Sequence, residues 1–495
     1  MRVGTIERKN VGRTWMVWSL TFALVNAMAM RRPRCGRRAT LAVVLLLGAA
    51  AVLPPARTLS RAATPPSTAT PVQATWLSYH SDPSNNALYS PWSAPAATWR
   101  SASVQDEMFA ASVVGDTVYA AGAGQTHAVY AIDRANGQIR WARIVNNVVM
   151  TQPIVVAGRV FIGTGNNYMR EDPVTDWNHV SRGSGVNAVY SLNATTGQVI
   201  WARPVVGEAM PTPIFVGGIL YVVTGDRHLL ALSAESGAML WLLPLPSYVS
   251  MSSPVQDGNL LIFGGAYPYA EYAVDITTHR IAWQHIFTPL DGQAVTGAID
   301  DCSGAVAHHV IFCTGTTSAM AHPSGGTPVH QFAWALDTRT GALIWQKDEG
   351  AGILPDFFSA GVPTVLGGVV YIPTPANKGL DARGATNGLL HWHLQIDGRS
   401  RSAPVVIKDR IYTSDDTGMV YDIRRAGGVL LHRMHLGGGV SNVGVVLSNG
   451  VLYVPNALGG VVDALPAHLF SKAKTLDVAS PFPPVSLQAG SSPCG

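Results

Sequence analysis

An all-β fold, an eight-bladed β-propeller, is what this 495-residue sequence predicts, on three observations. First, a strand–turn–strand unit recurs. In Ala335–Trp345, ALDTRTGALIW, Asp337 is placed to cap turn N–H groups, Gly341 supplies the positive φ of the turn, and Trp345 is the large packing residue of the return strand. The same spacing stands at Asp133, Gly137 and Trp141, at Asn193, Gly197 and Trp201, and at Ser233, Gly237 and Trp241. Asp275 and Trp283 keep it with His279 in the glycine place. Gly388 and Trp392 keep its second half, and His432 takes the tryptophan place in a worn copy over Tyr421–His432. Second, the steps between these positions run from 40 residues (Trp201 to Trp241) to 62 (Trp283 to Trp345), a period that in an all-β chain marks a propeller. Third, 50 Gly, 32 Pro and only 13% charged residues suit many short strands and turns and argue against a disordered or nucleic-acid-binding chain.

Taken in order, residues 1–60 read as a leader. RRPRCGRR at 31–38 precedes an apolar run, Ala39–Leu53, broken only by Thr40. A basic stretch followed by a short apolar one is a secretory signal, and the run falls short of the roughly 20 residues that a membrane span needs. A further apolar stretch, Trp15–Met30, lies upstream, and no Cys follows the signal to carry a lipid. The expected product is periplasmic or secreted, with outer-membrane association as a further alternative and no stable membrane span after signal cleavage. Residues 61–75 are a Pro/Thr/Ala-rich linker. The propeller is expected over 76–467 and a C-terminal tail over 468–495.

Blades are expected at about 106–145, 146–206, 207–246, 247–287, 288–349, 350–397, 398–436 and 437–467. The eighth offers only three strands. A short strand around Trp99 supplies the fourth and closes the ring, which removes open sheet edges. Seven blades is the alternative count. Each blade opens on a segment such as TQPIVVAGRVFIGTG (151–165), whose alternating apolar residues read as paired strands. The first strand of a blade lines the axis, so residues just ahead of it crowd around the channel mouth. Long insertions at Asn166–Asn187 and Asp301–His330 are expected to cover that mouth or to make a dimer contact.

Charge is uneven. Of 34 Lys+Arg and 30 Asp+Glu, residues 1–60 hold 10 and 1, which leaves 24 basic and 29 acidic residues beyond. The basic balance belongs to the leader, and no basic stripe for nucleic acid remains. Only five lysines lie beyond residue 60, and a sparsely charged surface suits a protein working in acid. Of four cysteines, Cys302 and Cys313 flank an expected hairpin and can pair as a disulfide in an exported protein. No CxxC and no adjacent Cys pair occurs.

The repeated Asp–Gly–Trp units, with the opening WLSYHSDPSNNALYSP, resemble the pyrroloquinoline-quinone-type propeller repeats over residues 76–467. That resemblance implies fold more than role, and it admits three functions. Quinoprotein dehydrogenases hold a quinone and calcium in the channel, but many carry an adjacent Cys pair that is absent here. BamB-like propellers are non-catalytic envelope scaffolds, usually lipoproteins. The tetrathionate hydrolases of acidophilic sulfur oxidisers are exported propellers of about this size, with sparse charge and insertion loops that help them dimerise. The chain looks most like the last, which implies acid hydrolysis of tetrathionate to thiosulfate, sulfate and sulfur, no cofactor, and a homodimer.

Tetrathionate is a dianion with two sulfonate ends. Its site needs cationic or N–H donors and a proton-transfer group near the S–S bonds. Asp356, in GILPDFFSAGVP (352–363), sits in an apolar frame that raises a carboxyl pKa and is the expected catalytic acid. Glu208 (GEAMPTP) and the adjacent Asp300 and Asp301 are the alternatives, and Asp106 and Glu107 lead blade one. Arg399 and Arg401 in DGRSRSAP are expected to hold sulfonate oxygens. Met150, Met210, Met251 and Tyr248 stand at equivalent positions ahead of their blades, where a thioether offers a polarizable contact to sulfur. The insertion histidines His179, His308, His309, His322 and His330 fit no standard zinc spacing, so no metal is expected.

Overall fold

In the computed structural model, residues 77–82, 84, 98–170, 181–288, 295–318, 327–355, 361–437, 444–471 and 483–484 are described. They form eight antiparallel sheets arranged as a propeller. Blade one is Met108–Val114, Thr117–Gly122, Ala128–Asp133 and Ile139–Ile144, and blades three, four, six and seven repeat this four-stranded meander. Blade eight is completed out of chain order. Trp99–Arg100 pairs antiparallel with Val461–Pro466, Trp99 opposite Ala464, and so becomes its outermost strand. The expected closure is present, with Arg100 bonded to buried Asp463 at 2.6 Å across the joint.

The recurrent tryptophan makes the ring cohere. Each packs on the turn glycine of the next blade and donates its indole N–H to a carbonyl there. Trp141 reaches Ala194 at 3.0 Å, Trp201 reaches Ala234 at 3.1 Å and Trp345 reaches Ala385 at 2.8 Å. Trp99, first in the chain, belongs structurally to blade eight and closes the circle onto Arg134 of blade one at 2.9 Å. The glycine is there for space as well as for φ. A Cβ on Gly237 (φ +70) would lie 2.7 Å from the Trp201 ring. Blade four departs from this rule. His279 takes the left-handed conformation itself (φ 56) and stacks on Trp241 with ring centroids 4.6 Å apart.

The two insertions differ in form. In blade two, Met169–Arg170 and Ser181–Arg182 make a two-stranded ladder outside the sheet. In blade five the strands themselves lengthen, to Val310–Ser318, Thr327–Asp337 and Leu343–Leu354. Cys302 and Cys313 are linked there, with Cα atoms 6.1 Å apart. No helix among the described residues is long and apolar enough to cross a membrane.

Candidate functional site

The repeat itself builds one end of the channel. Met150, Met210 and Met251 each stand four residues ahead of their innermost strand, which begins at Ile154, Ile214 and Val255. The same register puts Asp301 ahead of Ala305 in blade five and Arg401 ahead of Val405 in blade seven. These five side chains line one small cavity, with Tyr79, Phe109, Thr212, Ser253, Ser303 and Val362. Two residues further along, backbone N–H groups tie neighbouring blades together. Gln152 donates to the Thr212 hydroxyl (2.9 Å), Thr212 to Ser253 (3.0 Å) and Ser253 to Ser303 (2.9 Å). The ring positions are therefore held by main chain, and their side chains are the variable part. Asp301 Oδ2 lies 4.0 Å from the Arg401 guanidinium.

Behind this ring is a buried ionisable group. Arg182, carried in by the blade-two insertion, lies 3.1 Å from Glu208. Its backbone is fixed by blade three, accepting from Glu208 N–H (2.9 Å) and donating to Gly225 (2.8 Å), and its guanidinium reaches the Ser250 hydroxyl. Three glycines make room. A Cβ on Gly165 would meet Glu208 Cβ at 2.4 Å, on Gly183 its backbone N at 2.3 Å, and on Gly225 its Cγ at 2.8 Å. Glu208 is fully buried, and among the described residues neither carboxyl oxygen has an aligned hydrogen-bond donor, Arg182 being close without the alignment of a bond. Burial pushes the Glu208 pKa up to about 8 against the pull of Arg182, and Asp301 and Asp300 add to the rise. Burial likewise pushes Asp300 up to about 7, with Asp301 beside it. Asp300 also accepts the N–H groups of Met251 and Ser252 on its carbonyl. The surrounding carboxyls raise the Arg182 pKa despite its burial, so it stays charged.

The structure thus brings together Glu208, Asp300, Asp301 and Arg401 but not Arg399. Arg399 turns to Asp416 (3.6 Å) and to the Ile353 carbonyl (3.4 Å). Asp356 lies outside the described residues, as do His179 and His322. Asp106 is a turn anchor, accepting from Gly124 N–H (2.6 Å) and Tyr130 hydroxyl (3.0 Å). His309 and His330 pair with Asp257 (2.9 Å) and Asp348 (3.3 Å). Sequence reasoning missed Arg182 and Tyr79. Neither stands in the repeat register, so spacing carried no signal for either.

Calcium, which dehydrogenases of this fold class would hold in the channel with a quinone, finds no ligand set among the described residues. The cavity that Tyr79 shares with Asp301 and Arg401 holds about 20 Å³, the room of one water, before any side chain moves. Among the described residues no three His, Cys, Asp or Glu side chains converge on a metal position.

Comparison with known proteins fits this architecture. The family described as outer membrane protein assembly factor BamB matches residues 92–178, 169–323 and 330–467. A tetrathionate hydrolase of Acidithiobacillus ferrooxidans is 27% identical over 373 residues, 73% of this chain and 72% of that protein. One of Acidianus ambivalens is 26% identical over 370 residues, 70% and 68% of the two chains. The crystal structure of BamB from Moraxella catarrhalis superposes with a TM-score of 0.53 at 20% identity, over 74% of this chain and 99% of that one, a likeness of fold alone. With matches spanning most of the propeller, the chain belongs to the pyrroloquinoline-quinone-like propeller repeat family to which that BamB description is attached.

Proposed function

We propose that the chain is an exported hydrolase of tetrathionate that works in acid and without a quinone. The observation that carries this reading is the charge balance at the channel end. Two partly buried guanidiniums, Arg182 and Arg401, share a site with Glu208 and Asp300, whose carboxyls are half-ionised only at about pH 8 and about pH 7. Below neutrality those carboxyls are uncharged, so the pocket is cationic and attracts a dianion. Above it they ionise and compete for the guanidiniums. Curated relatives bearing this activity match over two thirds of both chains.

In this reading Arg401 and Arg182 hold sulfonate oxygens, and the methionine row faces the sulfane atoms. Water attacks one sulfane sulfur, the central S–S bond breaks, and its electron pair leaves on thiosulfate. Asp301, at the cavity surface, supplies a proton to that leaving sulfur and recovers one from the attacking water. The other fragment, a sulfane sulfonate bearing the water's hydroxyl, gives sulfate and sulfur. Overall, tetrathionate and one water become thiosulfate, sulfate, sulfur and two protons. Met150 and Met251, partly buried on stems of three torsions, must swing aside to admit substrate.

The test is thiosulfate release by the purified mature chain at low pH with no cofactor. Asp301→Asn is expected to lower kcat about 10²-fold or more, and Asp300→Asn and Glu208→Gln to shift the pH profile. Loss in Asp356→Asn with Asp301→Asn active would move the acid to the 352–363 loop. No release by wild type at any acid pH would favour the scaffold reading, which has the family description behind it.

A further inference from the structure

We propose that the segment ahead of the propeller is an intramolecular plug that forms the floor of this site, and that its Tyr79 is a positioning residue for Arg401. The site assignment rests on the hydrolase reading, but the plug does not.

The hydrogen bonds locate the segment. Leu77 C=O accepts from Phe215 N–H at 2.9 Å, on the innermost strand of blade three (Ile214–Val216). Ser84 C=O accepts from Val306 N–H at 2.9 Å, on the inner strand Ala305–Ala307 of blade five. Between them His80 N–H donates to the side chain of Gln152 (2.8 Å), whose amide donates in turn to Ala111 of blade one (2.7 Å). A short segment that meets the axial strands of blades three and five, and the approach to that of blade two, crosses the bore. At its tip Ser81 N–H bonds Ser78 C=O (3.0 Å), and His80 and Ser81 take left-handed φ of 56° and 68°. Non-glycine residues hold such angles only when the surroundings over-determine them.

The tip is buried on every side. Ser78 and His80 are 0% exposed and Tyr79 is 6% exposed. Tyr79 lines the same cavity as Arg401, Asp301 and the three methionines, and the His80 ring packs edge-on to it, centroids 4.1 Å apart. Among the described residues neither His80 ring nitrogen has a hydrogen-bond partner. A polar ring is an expensive filler, and its edge-on packing makes it the support of Tyr79. With the bore closed by this segment, the face that carries Asp301 and Arg401 is the side from which substrate enters in this proposal.

Two measurements test this. In Leu77→Cys/Phe215→Cys, whose backbones already touch, the cross-link is expected to form on oxidation and to be found by peptide mapping, with turnover retained. Tyr79→Phe is expected to raise KM for tetrathionate severalfold at unchanged melting temperature, because the polar hydroxyl beside Arg401 in the shared cavity is lost. His80→Phe should keep KM near wild type, because packing is preserved. Failure of the folded double-cysteine protein to cross-link would overturn the plug. A cross-link that forms but abolishes turnover until reduced would overturn a fixed floor. An unchanged KM in Tyr79→Phe would overturn its positioning role. If wild type shows no hydrolysis at all, the function falls while the cross-link still decides the plug.

Discussion

Arg399 and Arg401 are two residues apart in the sequence and unlike in the fold. In a strand-like approach to the axis, alternate side chains face the same way, which made the pair look equivalent. Arg399 stops short of the ring register and is engaged by Asp416, with a quarter of its side chain exposed. Arg401 stands in that register, with 11% of its side chain exposed and Asp301 as its nearest carboxylate. Arg401→Gln is therefore expected to raise KM for tetrathionate by about 10-fold or more, since charge-assisted bonds in a dry site are worth about 1.5–3 kcal/mol. Arg399→Gln should leave KM within about twofold, as partly exposed pairs contribute little. Steady-state kinetics on the two variants decides between them, and equal effects would mean that the register is not what defines the site. Much of the ring was legible in the chain: Met150, Met210, Met251, Asp301 and Arg401 each precede a small or hydroxyl residue and an inner strand. Arg182 was not, because it arrives on an insertion outside the repeat, and its value comes from three glycines that are far apart in sequence.

At the scale of an element, blade seven shows what the repeat demands. Six of the repeat tryptophans lie about 6 Å from an aromatic ring of their own blade's second strand, as Trp392 does from Tyr371 (6.0 Å) and Trp141 from Tyr119 (6.1 Å). Blade seven has Tyr412 in that place but His432 for its tryptophan, and His432 turns away to Asp422 at 3.0 Å. Phe470, from the 3₁₀ turn Ala467–Ser471, fills the gap with its centroid 6.0 Å from Tyr412 and only 1% exposure. The terminal turn is thus a packing element contributed from beyond the last strand. Phe470→Ala should destabilise by about 3 kcal/mol, the range for a buried Phe truncated to Ala, and chemical denaturation measures it. A change below about 1 kcal/mol would show that the turn is dispensable. Eight blades, the Trp99 closure and both insertions could be read from spacing. Phe470 could not, because the worn copy at Tyr421–His432 signals a loss without saying what replaces it.

At the scale of the whole molecule, buried ionisable groups set the pH at which the ring is most stable. Glu208 and Asp300 titrate at about 8 and about 7 in the fold against ordinary values of 4.5 and 3.8. Burial also raises Glu271, Glu349, Asp381 and Asp463. From about pH 4 to pH 8 the unfolded chain has released protons that the folded chain keeps, so stability falls as pH rises across that window. His80 acts in the other direction. Burial lowers it from 6.5 to about 3, so the unfolded chain binds a proton that the fold refuses, and stability is lost as pH falls from 6.5 to 3. Asp337, held at about 2 by Arg339, adds a loss below pH 4. Across pH 5–8 the large rises at Glu208, Asp300 and Glu349, to about 8, about 7 and about 8, outweigh the lowered histidines His80, His127 and His285, whose ordinary value of 6.5 confines their loss to the lower half of that window, and the melting temperature is expected to peak near pH 4–5 and to decline steadily toward pH 8. Glu208→Gln removes one of these titrations and should flatten the upper limb, while His80→Phe should flatten the lower. Thermal melts from pH 2 to 9 on the three proteins measure both limbs. A melting temperature that rises from pH 5 to pH 8 would mean that the buried carboxyls are ionised in the fold. That result would also remove the physical basis for an acid-dependent dianion site, because the same two protons that stabilise the ring in acid are those that leave Arg182 and Arg401 to the substrate.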